Sequence, residues 1–453
     1  MKPTKSKGSR LNTFSEKPKK ALWTLAVPIL AGMAIQTIYT VVDMIYIGRL
    51  GGVSIAAVAF NMPLLFFVMG LSMGLGSGAT ASIARFIGAR NKINADNSAE
   101  HALLMASIIS VIMVIVGLLF GKQMLAILGA TPVLLKIAWS YLRIINIGLF
   151  FMVFSGFFRS ILSGEGDMKT PMIISGIGTV LNIILDPIFI FVFGFGVPGA
   201  AIATVISQAT VFSIFIYIFL IKKDTYVTFR LRDFSFSKFI IFDIIKVGVP
   251  ASMAMIIMSI GQAVFNKILV SYSAFSVAAY QIGGRIDVFI FLPIMAIATA
   301  LTTLVGIFYG AKDSDNVKLI IKYGVSRSIF VTAVISALVY ILAPWLVKAF
   351  SNEPEILSIA VNYIRLIVII YPLVSFTMTS GRIMQGLGMG MPMLVTSTIR
   401  VLGVSVPLAL IFNYVFNKPI EWMWYAMMMS TVIATVTAAL WLRYALKRRM
   451  ISL

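Results

Sequence analysis

Apolar residues fill twelve long stretches of this chain, and short polar or charged segments separate each stretch from the next. A stretch of roughly 20 apolar residues is long enough to cross the hydrocarbon core of a bilayer as a helix. The predicted spans are residues 21–48, 54–84, 97–120, 135–162, 170–193 and 198–221, followed by 240–271, 276–308, 316–342, 356–385, 391–416 and 420–445. The pattern therefore predicts an all-α polytopic membrane protein with twelve transmembrane helices in two sets of six.

The second set of spans repeats the first at a constant offset of 222 positions (249 − 27). The anchors of the repeat are Val27-Pro28 with Val249-Pro250, Gly88-Ala89-Arg90 with Gly310-Ala311-Lys312, Pro132 with Pro354, Tyr141-Leu142-Arg143-Ile144 with Tyr363-Ile364-Arg365-Leu366, and Gly164-x-Gly166 with Gly386-x-Gly388. Two homologous membrane lobes favour a transporter whose site opens alternately to each side. The predicted organisation is a basic N-terminal tail (1–20), a first lobe (21–221), a linker (222–239), a second lobe (240–445) and a basic C-terminal tail (446–453).

Composition supports a membrane protein, because 60% of the residues are apolar and only 12% are charged, against about 25% charged in soluble proteins. The chain lacks cysteine and has a single histidine, which excludes a disulfide framework and a multi-histidine metal site. The net charge of +21 comes from basic clusters on alternate connections, with few bases on the opposite ones. This distribution predicts a plasma-membrane protein with both termini in the cytoplasm. The excess charge is expected to attract anionic lipid rather than nucleic acid.

Two acids lie well inside the spans of the first lobe, Asp43 in the first span and Asp186 in the fifth. Because an ionisable residue inside the membrane is costly, each is a candidate functional residue. In the first span Gln36, Thr40 and Asp43 are spaced by four and three residues and share one helix face, with Tyr39 on the adjoining face.

The fifth span has a similar polar face, formed by Ser175, Thr179, Asn182 and Asp186 at spacings of four, three and four. Two polar faces in apolar helices should meet each other or a water-filled cavity. Thr204 of the sixth span lies at a similar depth. Carboxylates, an amide oxygen and a hydroxyl are suitable ligands for a proton or a sodium ion, so we expect a cation site here. The alternative is a purely structural pair of hydrogen-bonded acids.

The second lobe has no acid at the positions equivalent to Asp43 and Asp186, so ion coupling is expected in the first lobe. Its spans instead contain the buried charges Lys267, Arg285, Asp287 and Arg400. We favour structural ion pairing, with Lys267 as the partner of Asp287. The alternative is that these cations bind an anionic group of a substrate.

Two glycine-containing motifs are interpreted as structural. Gly70, Gly74 and Gly78 lie on one face of the second span, which favours close packing against a neighbouring helix, with a hinge as the alternative. The turn Gly164-Glu165-Gly166-Asp167 joins the fourth and fifth spans and is expected to be a structural turn.

These motifs together resemble the multidrug and toxic compound extrusion (MATE) transporters, in particular the DinF-like branch of bacteria and archaea. The resemblance is carried by Tyr39-x-x-x-Asp43, Asn182-x-x-x-Asp186-Pro187, the turn at residues 164–167, Gly88-Ala89-Arg90 and the arrangement of six plus six spans. It implies a cation site at Asp43, Asn182, Asp186 and Thr204 with Tyr39 adjoining, and export of cationic or amphipathic compounds in exchange for protons or sodium ions. Members of this family often have asparagines in the fourth span, where this chain has Ser155-Gly156-Phe157-Phe158-Arg159. That departure weakens the transfer of drug-binding residues.

The sequence thus predicts a cation-coupled exporter of organic compounds that works by alternating access. We expect a monomer that uses no cofactor beyond its coupling ion, which is H⁺ or Na⁺, with Gln36, Thr40, Thr179 and Ser155 lining the substrate cavity. The alternative is a flippase for lipid-linked oligosaccharides or lipids, which would favour a cationic cavity. An intramembrane enzyme is not expected, because the spans contain no nucleophile–base or metal-binding constellation.

Overall fold

The computed structural model describes residues 13–229 and 234–451. Within these ranges the chain is helical and has no strand. The helices, numbered in chain order, are α1 Pro18–Gly48, α2 Gly52–Gly88, α3 Lys92–Ile127, α4 Pro132–Gly164, α5 Lys169–Val192, α6 Val197–Lys222, α7 Lys238–Val270, α8 Ala274–Gly310, α9 Ser314–Lys348, α10 Pro354–Gly386, α11 Met391–Val415 and α12 Glu421–Arg449. All twelve, counting α10 as one bent span, are long and apolar enough to cross a bilayer, as predicted. The predicted basic tails and linker fall partly outside the described residues, at 1–12, 230–233 and 452–453.

Helix α10 is not the single continuous span that was predicted for residues 356–385. Its two parts, Pro354–Val368 and Tyr371–Gly386, meet at an angle of 54°. The break comes just before Pro372, which is at the start of the second part. Proline has no backbone N–H, and its ring opposes the carbonyl of the preceding turn. The first part therefore ends there and a new helix begins.

The described residues divide into two compact units. The first unit contains residues 27–248, and the second contains residues 13–26 together with 249–451. Each boundary falls at one of the repeated Val-Pro pairs, and α1 and α7 both continue through their prolines, Pro28 and Pro250. The units therefore differ from the predicted lobes, because the start of α1 belongs to the second unit and the start of α7 to the first. The described residues of the linker also belong to the first unit.

In the first unit α2 packs closely against the start of α7. A Cβ atom on Gly78 would collide with the backbone oxygen of Ile244, and one on Gly248 would lie 2.7 Å from the Cα atom of Leu75. Glycine at these positions lets the two backbones approach. The close packing predicted for the glycines of the second span is thus confirmed at Gly78.

The linker predicted between the two lobes, residues 222–239, is held on the first unit by two carboxylates. The two oxygens of Glu165 accept hydrogen bonds of 2.8 Å each from the backbone N–H groups of Tyr226 and Val227. Asp96 accepts from the backbone N–H of Thr228 at 2.9 Å and from its hydroxyl at 2.8 Å. The turn at residues 164–167, predicted to be structural, therefore also fixes the conformation of the linker.

A second group of contacts holds the end of the linker just before α7. The backbone N–H of Ser237 donates to Nε2 of His101 at 2.9 Å, and Nδ1 of the same ring lies 2.8 Å from the carbonyl of Asn97. The side-chain amide of Asn97 donates to the carbonyl of Ser235 at 2.8 Å. The single histidine of the chain is fully buried, and it serves here as a structural residue.

Candidate functional site

The candidate site lies in the first unit, at the ends of four helices. Asp43 is near the C-terminal end of α1, Asp186 near that of α5, Thr204 near the N-terminal end of α6 and Tyr141 near that of α4. At 1.5 Å per residue these positions are about 8 to 14 Å from the ends of their helices. They share one level of the unit, at the opposite end from the linker.

Asp43 and Asp186 form the centre of the site. Their carboxyl groups are within hydrogen-bonding reach of each other, and their exposed fractions are only 8% and 0%. Asn182, one turn before Asp186 on α5, donates a hydrogen bond of 2.6 Å from Nδ2 to Oδ1 of Asp186. The structure thus brings together the two acids and the amide that the sequence placed on separate polar faces.

Two tyrosines and a threonine surround the acids. The hydroxyl of Tyr39 is 3.4 Å from that of Thr204, and the Tyr39 side chain interacts electrostatically with both carboxyl groups. Tyr141 is buried and is close enough to both acids and to Tyr39 to interact with them electrostatically. Sequence reasoning used Tyr141 only as an anchor of the repeat and missed its place beside the acids.

The acid pair carries unsatisfied hydrogen-bonding capacity. Within the described part of the chain, Oδ1 of Asp43 and Oδ2 of Asp186 are buried and have no hydrogen-bond partner. Neither carboxylate forms an ion pair within 4 Å there. Two adjacent carboxylates that are buried without a cation repel each other and lose hydration. The geometry therefore suits a site that takes up a proton or a small cation.

The four residues predicted to line the substrate cavity differ in their exposure. Gln36 and Thr40 are exposed, whereas Thr179 and Ser155 are buried. The Thr40 hydroxyl donates to the backbone oxygen of Gln36 at 3.0 Å, and the hydroxyl oxygen of Ser155 has no partner in the described residues. On α1 it is Tyr39, rather than Gln36 or Thr40, that interacts with both acids and with Thr204.

The predicted set of buried charges in the second unit is wrong for two of its four members. Lys267 and Arg285 are exposed, Arg400 is half-buried and only Asp287 is buried. The favoured pairing of Lys267 with Asp287 is also wrong, since no ion pair within 4 Å joins Asp287 to any of the three cations in the described residues. Asp287 instead accepts a 2.9 Å hydrogen bond from the Tyr363 hydroxyl. Helix spacing gave no information on how α7 and α8 are rotated, so it could not predict which charges would meet.

Comparisons with known proteins agree with this architecture. The sequence model of the MatE family matches residues 28–188 and again residues 250–411, so the two matches start 222 positions apart, the offset of the repeat. The probable multidrug resistance protein YoeA of Bacillus subtilis is 26% identical over 90% of this chain and 91% of its own length. The multidrug export protein MepA of Staphylococcus saprophyticus is 27% identical over 95% and 94%. A solved structure of a MOP superfamily transporter from Pyrococcus furiosus is 32% identical with a TM-score of 0.93, covering 99% of both chains, and is described as having a binding pocket of reversed polarity that suggests a different function.

Proposed function

Because this chain belongs to the MatE family of multidrug transporters, as the resemblance predicted, we propose that it exchanges protons for organic compounds by alternating access. Membership makes it a multi-pass membrane transporter of the multidrug-efflux type. The proposal goes further and assigns the coupling to Asp43 and Asp186. Its DinF-like branch, its location in the plasma membrane and the cytoplasmic position of its termini stay predictions.

The observation that carries the proposal is that two buried carboxyl groups interact with each other while one oxygen of each has no hydrogen-bond partner in the described residues. Two carboxyl groups form a hydrogen bond only when one of them holds a proton, so a single proton shared by Asp43 and Asp186 would satisfy the pair. Sodium is less favoured, because Asn182 directs its N–H rather than its oxygen towards Asp186. Hard metal cations need several oxygen ligands. The predicted set of ligands, Asp43, Asn182, Asp186 and Thr204, thus suits a proton better than a metal ion.

Proton binding drives transport only if the two conformations of the transporter bind the proton with different affinity. We propose that the acid pair takes up a proton in one conformation and loses it in the other. Tyr39 and Thr204 are placed to respond to this change, since the Tyr39 phenol interacts with both acids and with the Thr204 hydroxyl. Loss of the negative charge would release the electrostatic hold on an organic cation.

We propose an organic cation as the substrate, because the charge of the buried site in the first unit is negative. The rival function, a flippase for lipid-linked sugars, would favour a cationic site instead. The relative from Pyrococcus furiosus, with its pocket of reversed polarity, makes it important to test anionic compounds as well.

The test is transport by purified protein in proteoliposomes. A fluorescent organic cation such as ethidium and an anionic dye would each be offered under an imposed proton gradient and, separately, a sodium gradient. We expect proton-driven movement of the cation, and its loss in Asp43→Asn and Asp186→Asn. Asp315→Asn, which changes an exposed acid, is the matched control. Full transport by both Asn variants would contradict the assignment, and sodium-driven transport would contradict the choice of proton.

A further inference from the structure

The second unit has a buried acid of its own, Asp287 of α8, which is only 9% exposed. Its Oδ2 atom accepts the hydrogen bond from Tyr363, and the phenol of Tyr371 is close enough to interact with the carboxyl group. Its Oδ1 atom is buried and has no partner in the described residues. The side chain therefore keeps one oxygen free in an apolar environment.

No cation among the described residues compensates the charge of Asp287. Lys267 and Arg285 are exposed. Arg400 of α11 acts electrostatically on Tyr280 and Tyr371 but makes no ion pair within 4 Å with the acid. Burying a carboxylate without a counter-ion is strongly unfavourable, because the charge loses its hydration. Binding a proton removes that charge at the site itself.

Aromatic side chains enclose the acid and limit what else could bind there. The rings of Tyr363 and Trp424 are 4.7 Å apart, those of Tyr280 and Tyr363 5.5 Å, and those of Tyr280 and Trp424 6.1 Å. Tyr363 and Trp424 are fully or almost fully buried. The rings pack against one another and supply few oxygen atoms beyond the phenols. A metal ion, which needs several oxygens, is a poorer fit than a proton.

The repeat provides independent support, because Tyr363 is the equivalent of Tyr141 (141 + 222 = 363). In the first unit Tyr141 lies in the electrostatic field of Asp43 and Asp186, and in the second Tyr363 bonds directly to Asp287. The two tyrosines therefore occupy the same position on α4 and α10, and each lies beside the buried acid of its own unit.

We propose that Asp287, with Tyr363 and Tyr371, is a second proton-binding site, located in the second unit and separate from the acid pair of the first. The groups that face it are Tyr363 and Tyr371 of α10, Tyr280 of α8 and Arg400 of α11. The site goes beyond the proposed exchange at Asp43 and Asp186, and its proton binding does not depend on that exchange.

The experiment is infrared spectroscopy of the purified full-length protein over a range of pH. A protonated carboxyl group has a C=O stretching band that the carboxylate lacks. The background is the double variant Asp43→Asn/Asp186→Asn, which removes the buried acid pair of the first unit. In this background we expect the carboxyl band to contain a component that disappears when Asp287→Asn is added and that is kept with Glu355→Gln, which changes an exposed acid.

Tyr363→Phe provides a second measurement, the frequency of the Asp287 carboxyl band, which would not change if Tyr363 had only a structural role. It leaves the acid in place but removes the hydroxyl that bonds to it, so the band should shift in frequency while its intensity is kept. Asp287→Asn retains an oxygen that can accept from Tyr363, and its folding would be checked by size-exclusion chromatography. If that variant failed to fold, the shift in Tyr363→Phe would decide.

Three results would overturn the proposal: a carboxyl band in the double variant that Asp287→Asn leaves unchanged, a lost component that Glu355→Gln removes equally, or a component assigned to Asp287 that sodium removes at constant pH. The last would make Asp287 a metal-cation site instead. None of these results depends on whether Asp43→Asn or Asp186→Asn still transports, so failure of this proposal and failure of the proposed function can be told apart.

Discussion

The attachment of the linker to the first unit can be tested at Glu165. This side chain is 8% exposed, and its two oxygens accept the backbone N–H groups of Tyr226 and Val227 at 2.8 Å each. The change Glu165→Gln keeps the size of the side chain and one acceptor oxygen. It replaces the other oxygen with an NH₂ group, which cannot accept a hydrogen bond from a backbone N–H.

The expected cost follows from the number of bonds lost. A hydrogen bond to a charged group contributes about 1.5 to 3 kcal/mol, and the variant loses one of two such bonds together with the charge that strengthens the other. We therefore expect the free energy of local opening of the linker to be about 2 to 3 kcal/mol lower in the variant than in the parent. Since about 1.4 kcal/mol corresponds to a tenfold change in an equilibrium constant, the opened population should rise by roughly 30- to 150-fold.

Hydrogen–deuterium exchange measured by mass spectrometry reports this opening directly. Exchange of the Tyr226 and Val227 amides should accelerate by that factor in Glu165→Gln. Glu355→Gln, which changes an exposed acid of the second unit, should leave it unchanged. Exchange in Glu165→Gln within about threefold of the parent rate would refute the reasoning, because the two bonds would then contribute little to holding the linker.

Three further predictions concern packing, the acid pair and alkaline pH. Gly78→Ala should lower stability by about 1 to 3 kcal/mol or more, because its Cβ would meet the backbone oxygen of Ile244. Gly156→Ala is the control and should leave stability unchanged, because a Cβ atom there would have no neighbouring atom within 4 Å. Equal melting temperatures of the two variants in detergent would contradict this account. Tyr141→Phe should slow proton-driven transport in proteoliposomes without unfolding the protein, and an unchanged rate would remove Tyr141 from the site. Burial, with Asp96 and Glu165 nearby, raises the pKa of Tyr226 in the folded protein. The neutral phenol therefore contributes stability below about pH 10, and this contribution is lost as the pH rises through the folded-state pKa. Above about pH 10 the melting temperature should therefore fall less in Tyr226→Phe than in the parent. Parallel curves of melting temperature against pH for the two proteins would contradict a raised pKa of Tyr226.

The spans could be predicted from the sequence because bilayer thickness fixes the length of an apolar helix. What could not be predicted was the effect of each proline inside a span. The helices continue through Pro28 and Pro250, whereas α10 breaks before Pro372. Neighbouring helices can stabilise a span that contains proline, and the sequence of one span gives no information about those neighbours.

The acid pair could be predicted from the sequence because polar residues at helical spacing are conspicuous in an apolar span. Its environment could be predicted only in part. Tyr141 is one aromatic residue among many and was identified only as part of the repeat. In the second unit the charges were known, but the rotation of α7 and α8 was not, so Lys267 was wrongly paired with Asp287. Spacing within one helix predicts which residues share a face, whereas contacts between helices depend on packing.

The repeat explains why the two units can have related but unequal sites. Tyr141 and Tyr363 are equivalent, yet the acids beside them come from different helices. The position equivalent to Asp43 is Phe265 (43 + 222), and the position equivalent to Asp287 is Leu65 (287 − 222). A phenol hydroxyl can donate to a carboxylate or accept from a carboxylic acid, so the same tyrosine position can serve an acid supplied by either neighbour. If both sites bind protons as proposed, protonation changes the charge on α1 and α5 in the first unit but on α8 in the second. A ligand acts on a conformational equilibrium only through the contacts that differ between states, so the two protons would bias different helices.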